Sequence, residues 1–145
     1  MNDNSDVFTH KLARGFSAIE RRHRKFMNRA LKEEGFVGVA YSYVIAIKKN
    51  PGLNQDFLAD FQGVDKSRVA RIVRDLELGG YVSRELSPKN RRQYMLVLTQ
   101  SGEKLYDLIM DKTRQWEALV SGGIDGGDIA TTMETIDKII KNLDK

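Results

Sequence analysis

A mainly α-helical fold with one small β-hairpin is predicted by three observations. A helical stripe runs through Phe8, Leu12, Phe16, Ile19, His23, Phe26 and Ala30, with steps of three and four residues. A second such stripe, Ile129, Met133, Ile136, Ile140 and Leu143, lies near the other end. Between them, two short segments rich in Tyr, Val and Leu flank Ser87-Pro88-Lys89-Asn90, which is turn chemistry.

The first stripe predicts a long helix over about residues 6–33, broken by Gly35 and Gly38. Residues 39–49 form a second, largely apolar helix, stopped by Asn50-Pro51-Gly52. Asn54 is suited to cap a short third helix over 55–61, because its side chain can accept from a free first-turn N–H. Gly63-Val64 makes a tight turn, and Asp65 caps a fourth helix running to about Leu78, where Gly79-Gly80 end it. Residues 81–86 and 93–98 are the hairpin strands. Thr99 caps a fifth helix with Leu105, Leu108, Ile109, Trp116, Leu119 and Val120 as its stripe. Gly122-Gly123 and Gly126-Gly127 flank a short break before the sixth.

The order helix, helix, helix-turn-helix, hairpin, helix, helix places a winged helix in the middle. A first helix of about 28 residues is ~42 Å long, more than a small domain is wide. Its far end needs a partner, and a second copy of the chain supplies one, with the terminal helices as the dimer interface.

Charge is unevenly spread over the 145 residues, whose net charge is +4. Residues 65–92 carry net +4, residues 10–32 net +7 and residues 100–145 net −3. A basic middle beside an acidic tail fits a surface that meets a polyanion. Cysteine is absent, which excludes disulfides and thiol chemistry. His10 and His23, thirteen residues apart, do not have metal-ligand spacing on one helix. There is no phosphate-cradling glycine loop and no nucleophile elbow, so no enzyme and no cofactor are expected. No apolar run approaches the ~20 residues of a membrane helix. Residues 1–6 are polar and unlike a signal peptide, so a cytoplasmic protein is expected.

A helix-turn-helix needs a small residue at the helix crossing and a turn residue tolerant of unusual backbone angles. Ala59 and Gly63 fill those places, with Leu58, Val64, Val69, Ile72, Val73 and Leu76 as the local core. At ~100° per residue, Ser67, Arg68, Arg71 and Arg74 then fall on the solvent side. Ser67, Arg68 and Arg71 are placed to read base edges in the major groove. Lys66 and Arg74 suit phosphate contacts. The hairpin tip, Lys89-Asn90-Arg91-Arg92, can bring cations to the minor groove.

These residues carry a family resemblance. Residues 53–105 contain a helix ending in Leu76-Glu77, the Gly80-Tyr81 step into the wing, the Asn90-Arg91-Arg92 tip and the Leu98-Thr99-Gln100-Ser101-Gly102 exit. In this combination the chain resembles the MarR family of transcription regulators. The resemblance implies a single chain with three regions: dimerisation and support helices over 6–50, a winged helix-turn-helix lobe over 51–99, and C-terminal dimerisation helices over 100–145. It implies a homodimer that binds palindromic double-stranded DNA, usually as a repressor released by a small phenolic or aromatic acid. It assigns Arg92 to the minor groove. One departure is Asn90, which stands where the family has an aspartate. Aspartate orients the arginine by a charge-assisted bond, so asparagine predicts a more cationic and less firmly held wing.

An aromatic anion needs a cation and an apolar wall. Arg21, His23 and Arg24, with Tyr41 and Tyr43, are the candidates, set against packing roles for His23 and both tyrosines. The rival to a DNA regulator is a winged-helix module that binds an acidic protein partner instead.

Overall fold

The computed structural model describes residues 3–144, with side chains described from His10 onward. Phe8 of the expected stripe therefore lies outside the described side chains. Six helices and one hairpin follow in the expected order: α1 (Asp3–Glu33), α2 (Tyr41–Lys49), α3 (Gln55–Gln62), α4 (Lys66–Leu78), β1 (Val82–Leu86), β2 (Tyr94–Leu98), α5 (Gln100–Ser121) and α6 (Gly126–Leu143).

Two helices begin elsewhere than expected: α1 at Asp3 rather than about residue 6, and α2 at Tyr41 rather than residue 39. Helix α2 begins two residues late, because Gly38 takes a left-handed φ of 68° and the Tyr41 N–H turns back to the Val39 carbonyl. Gly126 and Gly127, at the far edge of the expected break, form the first turn of α6. Asp125 caps that helix by accepting from the Gly127 N–H at 2.8 Å, which stabilises a first turn that glycine alone would leave weak.

Up to Lys112 the chain forms one compact unit, and from Thr113 a second. The core of the first joins Met27 and Leu31 of α1, Val44 and Ile47 of α2, Leu58 of α3, Val69, Val73 and Leu76 of α4, Val82 and Leu96 of the hairpin, and Leu105 and Ile109 of α5. The first turns of α5 thus belong to the same core as α4 and the hairpin. The N-terminal half of the α1 stripe is not covered: Phe16 is 40% and Ile19 58% exposed.

The second unit pairs the end of α5 with α6 across Gly122-Gly123. Its facing side chains, among them Val120, Ile124, Ile129 and Met133, line an apolar notch of about 730 Å³. No residue of α6 is buried. Among the described residues, no helix is long and apolar enough to cross a membrane.

Candidate nucleic-acid interface

The lobe fixes α4 at both ends and along its inner face. Gly63 caps α3 in the left-handed region (φ 62°), and its N–H bonds back to the α3 carbonyls of Ala59 and Asp60. Asp65 then accepts from the Arg68 N–H at 2.9 Å and starts α4. Val69 and Val73 are wholly buried and Leu76 nearly so, so helical geometry turns the opposite face outward. Ser67, Arg68, Arg71 and Arg74 are all exposed there. Among the described residues, no carboxylate pairs with any of these three arginines.

The acids nearest this face, Asp75 and Glu77, do not pair with its arginines. Glu77 accepts from Arg84 Nε at 2.9 Å, tying the end of α4 to β1. Asp75 makes no ion pair among the described residues. Lys66 does have a partner, Asp56 of α3 at 3.2 Å, but both side chains are more than two-thirds exposed. Such surface pairs contribute ~0–1 kcal/mol, so an incoming phosphate can displace it.

The wing pairs β1 and β2 antiparallel, from Val82 opposite Leu98 to Leu86 opposite Tyr94. The Leu96 N–H donates to the Leu53 carbonyl at 2.9 Å and holds β2 to the segment before α3. At the tip, the Ser87 N–H donates to the Gln93 carbonyl, and Asn90 Oδ1 accepts from the Arg92 backbone N–H at 3.1 Å. Asn90 therefore steadies the arginine through its main chain. Lys89, Arg91 and Arg92 are exposed, with no ion pair among the described residues.

The exit from the wing is tightly built. Thr99 Oγ1 donates to the Gly80 carbonyl at 2.5 Å and accepts from the Gly102 N–H at 3.0 Å, while the Thr99 N–H donates to the Tyr81 carbonyl. A Cβ on Gly102 would lie 2.0 Å from the Tyr81 carbonyl oxygen. The Leu-Thr-x-x-Gly exit is thus a close crossing of two backbones, a role that motif spacing alone does not reveal.

The candidate ligand residues divide. His23 and Tyr41 meet edge to face, with ring centroids 6.0 Å apart. Arg24 bonds Glu20 at 3.1 Å. Partial burial lowers the His23 pKa, against the opposing pull of Glu20. Burial, and then Glu20, raise that of Tyr41, while Arg24 acts the other way. Tyr43 sits in the core. Arg21 borders a separate hollow of about 550 Å³ along α1, with His10, Arg14 and Arg22. Among the described residues, no group of His, Cys, Asp or Glu could hold a metal ion.

Comparison with known proteins gives a consistent result. The MarR family profile matches residues 35–93. The crystal structure of MarR superposes with a TM-score of 0.80 at 32% identity, over 91% of this chain and 90% of that one. A MarR-family regulator from Listeria monocytogenes, solved with a 26mer DNA, has the same fold: TM-score 0.80, 24% identity, 90% of this chain and 87% of that one. CouR from Rhodococcus jostii RHA1, bound to p-coumaroyl-CoA, superposes with a TM-score of 0.73 at 26% identity, over 93% and 92% of the two chains.

Proposed function

Since this chain belongs to the MarR family of DNA-binding transcription regulators, we propose that it binds palindromic duplex DNA sequence-specifically as a homodimer and acts as a repressor. The observation that carries the reading is the exposed α4 face of Ser67, Arg68, Arg71 and Arg74, whose arginines have no carboxylate partner among the described residues. In this reading Ser67, Arg68 and Arg71 read base edges, Lys66 and Arg74 hold phosphate, and Lys89, Asn90, Arg91 and Arg92 address the minor groove. Duplex DNA as the partner is in keeping with the Listeria protein of like fold, which was solved with DNA.

Dimerisation is supported by the apolar surface left open on α1 and by α6, which buries no residue. A dimer would place two equivalent helices for half-sites about one helical turn apart. Release by a small phenolic or aromatic acid is supported by the p-coumaroyl-CoA held by CouR. It is also supported by Arg24, whose charge acts on Tyr41 in the aromatic contact with His23, while Arg21 stands at a separate hollow. Tyr43 would support the wall from within the core.

The test is selection of bound duplexes from a random pool, followed by anisotropy at rising salt. One sequence should be preferred, and affinity should fall by orders of magnitude between about 50 and 200 mM salt. Weak binding to every duplex alike would overturn the reading in favour of an acidic protein partner. Added p-coumarate should release the selected duplex, and indifference to it would remove the phenolic-acid assignment.

A further inference from the structure

A hollow of about 370 Å³ lies beside the C-terminal half of α4, walled by the α1–α2 loop on one side and by Ile72, Asp75, Leu76, Gly79 and Tyr81 on the other. Its size falls in the range of small-molecule sites. The loop contributes Phe36 and Val39, and Gly35 and Gly38 both take left-handed φ angles that bend it around the opening. Two features set its chemistry. Asp75 is the one charged residue among its lining, and it makes no ion pair among the described residues although Arg71 stands one helical turn before it. The rings of Phe36 and Tyr81 lie 5.9 Å apart and tilted by 58°, forming an aromatic corner.

A third contribution comes from the helix itself. The hollow opens at the C-terminal end of α4, where the aligned peptide dipoles leave partial negative charge. A carboxylate, a helix C-terminus and two aromatic rings all favour a cation, and the aliphatic walls favour an apolar body. An aromatic carboxylate would meet Asp75 with like charge.

We propose that this hollow is a binding site for a small hydrophobic organic monocation, such as a quaternary ammonium or an aromatic amine. The site is separate from the Arg24, His23 and Tyr41 surface, and takes the opposite charge. Its occupant touches the C-terminal half of α4, one turn beyond Arg71, so binding acts directly on the element that faces DNA.

The test uses the full chain, isotope-labelled and without DNA, so its outcome stands apart from the DNA-binding reading. Benzyltrimethylammonium is titrated and amide shifts are followed. Shifts should concentrate at Gly35, Gly38, Ile72 and Gly79. Asp75→Asn, which keeps the shape and removes the charge, should weaken binding about fivefold or more. Benzoate, of similar size and opposite charge, should leave these amides unmoved. Shifts mapping elsewhere, unchanged affinity in Asp75→Asn, or equal binding of benzoate would each overturn the proposal.

Discussion

Helices α1 and α4 are both amphipathic and both rich in arginine, but they handle charge and apolar surface differently. In α1, Arg24 and Arg29 each find a glutamate one turn away, Glu20 at 3.1 Å and Glu33 at 3.0 Å. In α4, Arg68, Arg71 and Arg74 find none among the described residues. The apolar faces are reversed. The stripe of α4 is sealed in the core, while the first half of the α1 stripe meets solvent. Charge density alone would rank α1 as the more basic surface. Pairing ties down part of the α1 charge but none of the three arginines of α4, and it is α1 that has apolar area left to cover.

The largest effect expected from this contrast is on folding. Leu76→Ala in α4 should cost the lobe ~2–5 kcal/mol in denaturant unfolding, since it empties a filled core. Phe16→Ala in α1 should move lobe stability by less than about 0.5 kcal/mol and instead weaken self-association in sedimentation. If Phe16→Ala unfolds the lobe, the contrast in apolar roles is wrong.

Next in size is the effect on DNA. Arg71→Ala should lose ~1–3 kcal/mol on the selected duplex and flatten base preference. Arg29→Ala, which removes only a surface pair, should change stability and DNA affinity by less than about 1 kcal/mol. Equal losses in anisotropy would mean that pairing does not distinguish the two helices. Arg92→Ala should have a smaller effect, concentrated on A·T-rich flanks where the minor groove narrows. A loss indifferent to flanking sequence would reassign the wing tip to phosphate contact.

The smallest effect concerns His23 of α1. Burial lowers its pKa in the folded chain, so the unfolded chain takes up the proton more readily. Stability should therefore decline as the pH falls through about 6.5, where an unfolded-chain imidazole protonates. The fall in Tm over that range should be shallower in His23→Gln. An unchanged slope would show that His23 is not the responsible group.

Much of this molecule could be read from local sequence, because local rules decide it. Asn54 and Asp65 cap their helices through their own side chains, and Gly63 turns where only an unusual φ will serve. The outward face of α4 follows from the positions of Val69, Val73 and Leu76. What sequence could not give depended on segments meeting in space. Glu77 has basic neighbours at several spacings, and only the fold selects Arg84 on β1. That asparagine in the family's aspartate position holds the arginine less firmly was legible, but only the fold shows that Asn90 accepts from the Arg92 main-chain N–H. The hollow beside Asp75 exists only because the α1–α2 loop folds over the end of α4, and no periodicity encodes that approach.

The crossing at Thr99 and Gly102 has a mechanical consequence. Three hydrogen bonds and a backbone approach too close for any Cβ join the root of the wing to the opening turn of α5. That joint leaves no slack, so a rotation of the first turn of α5 must swing the cationic tip with it. The hairpin is thus held at its root by the opening turn of α5 as well as by the end of α4.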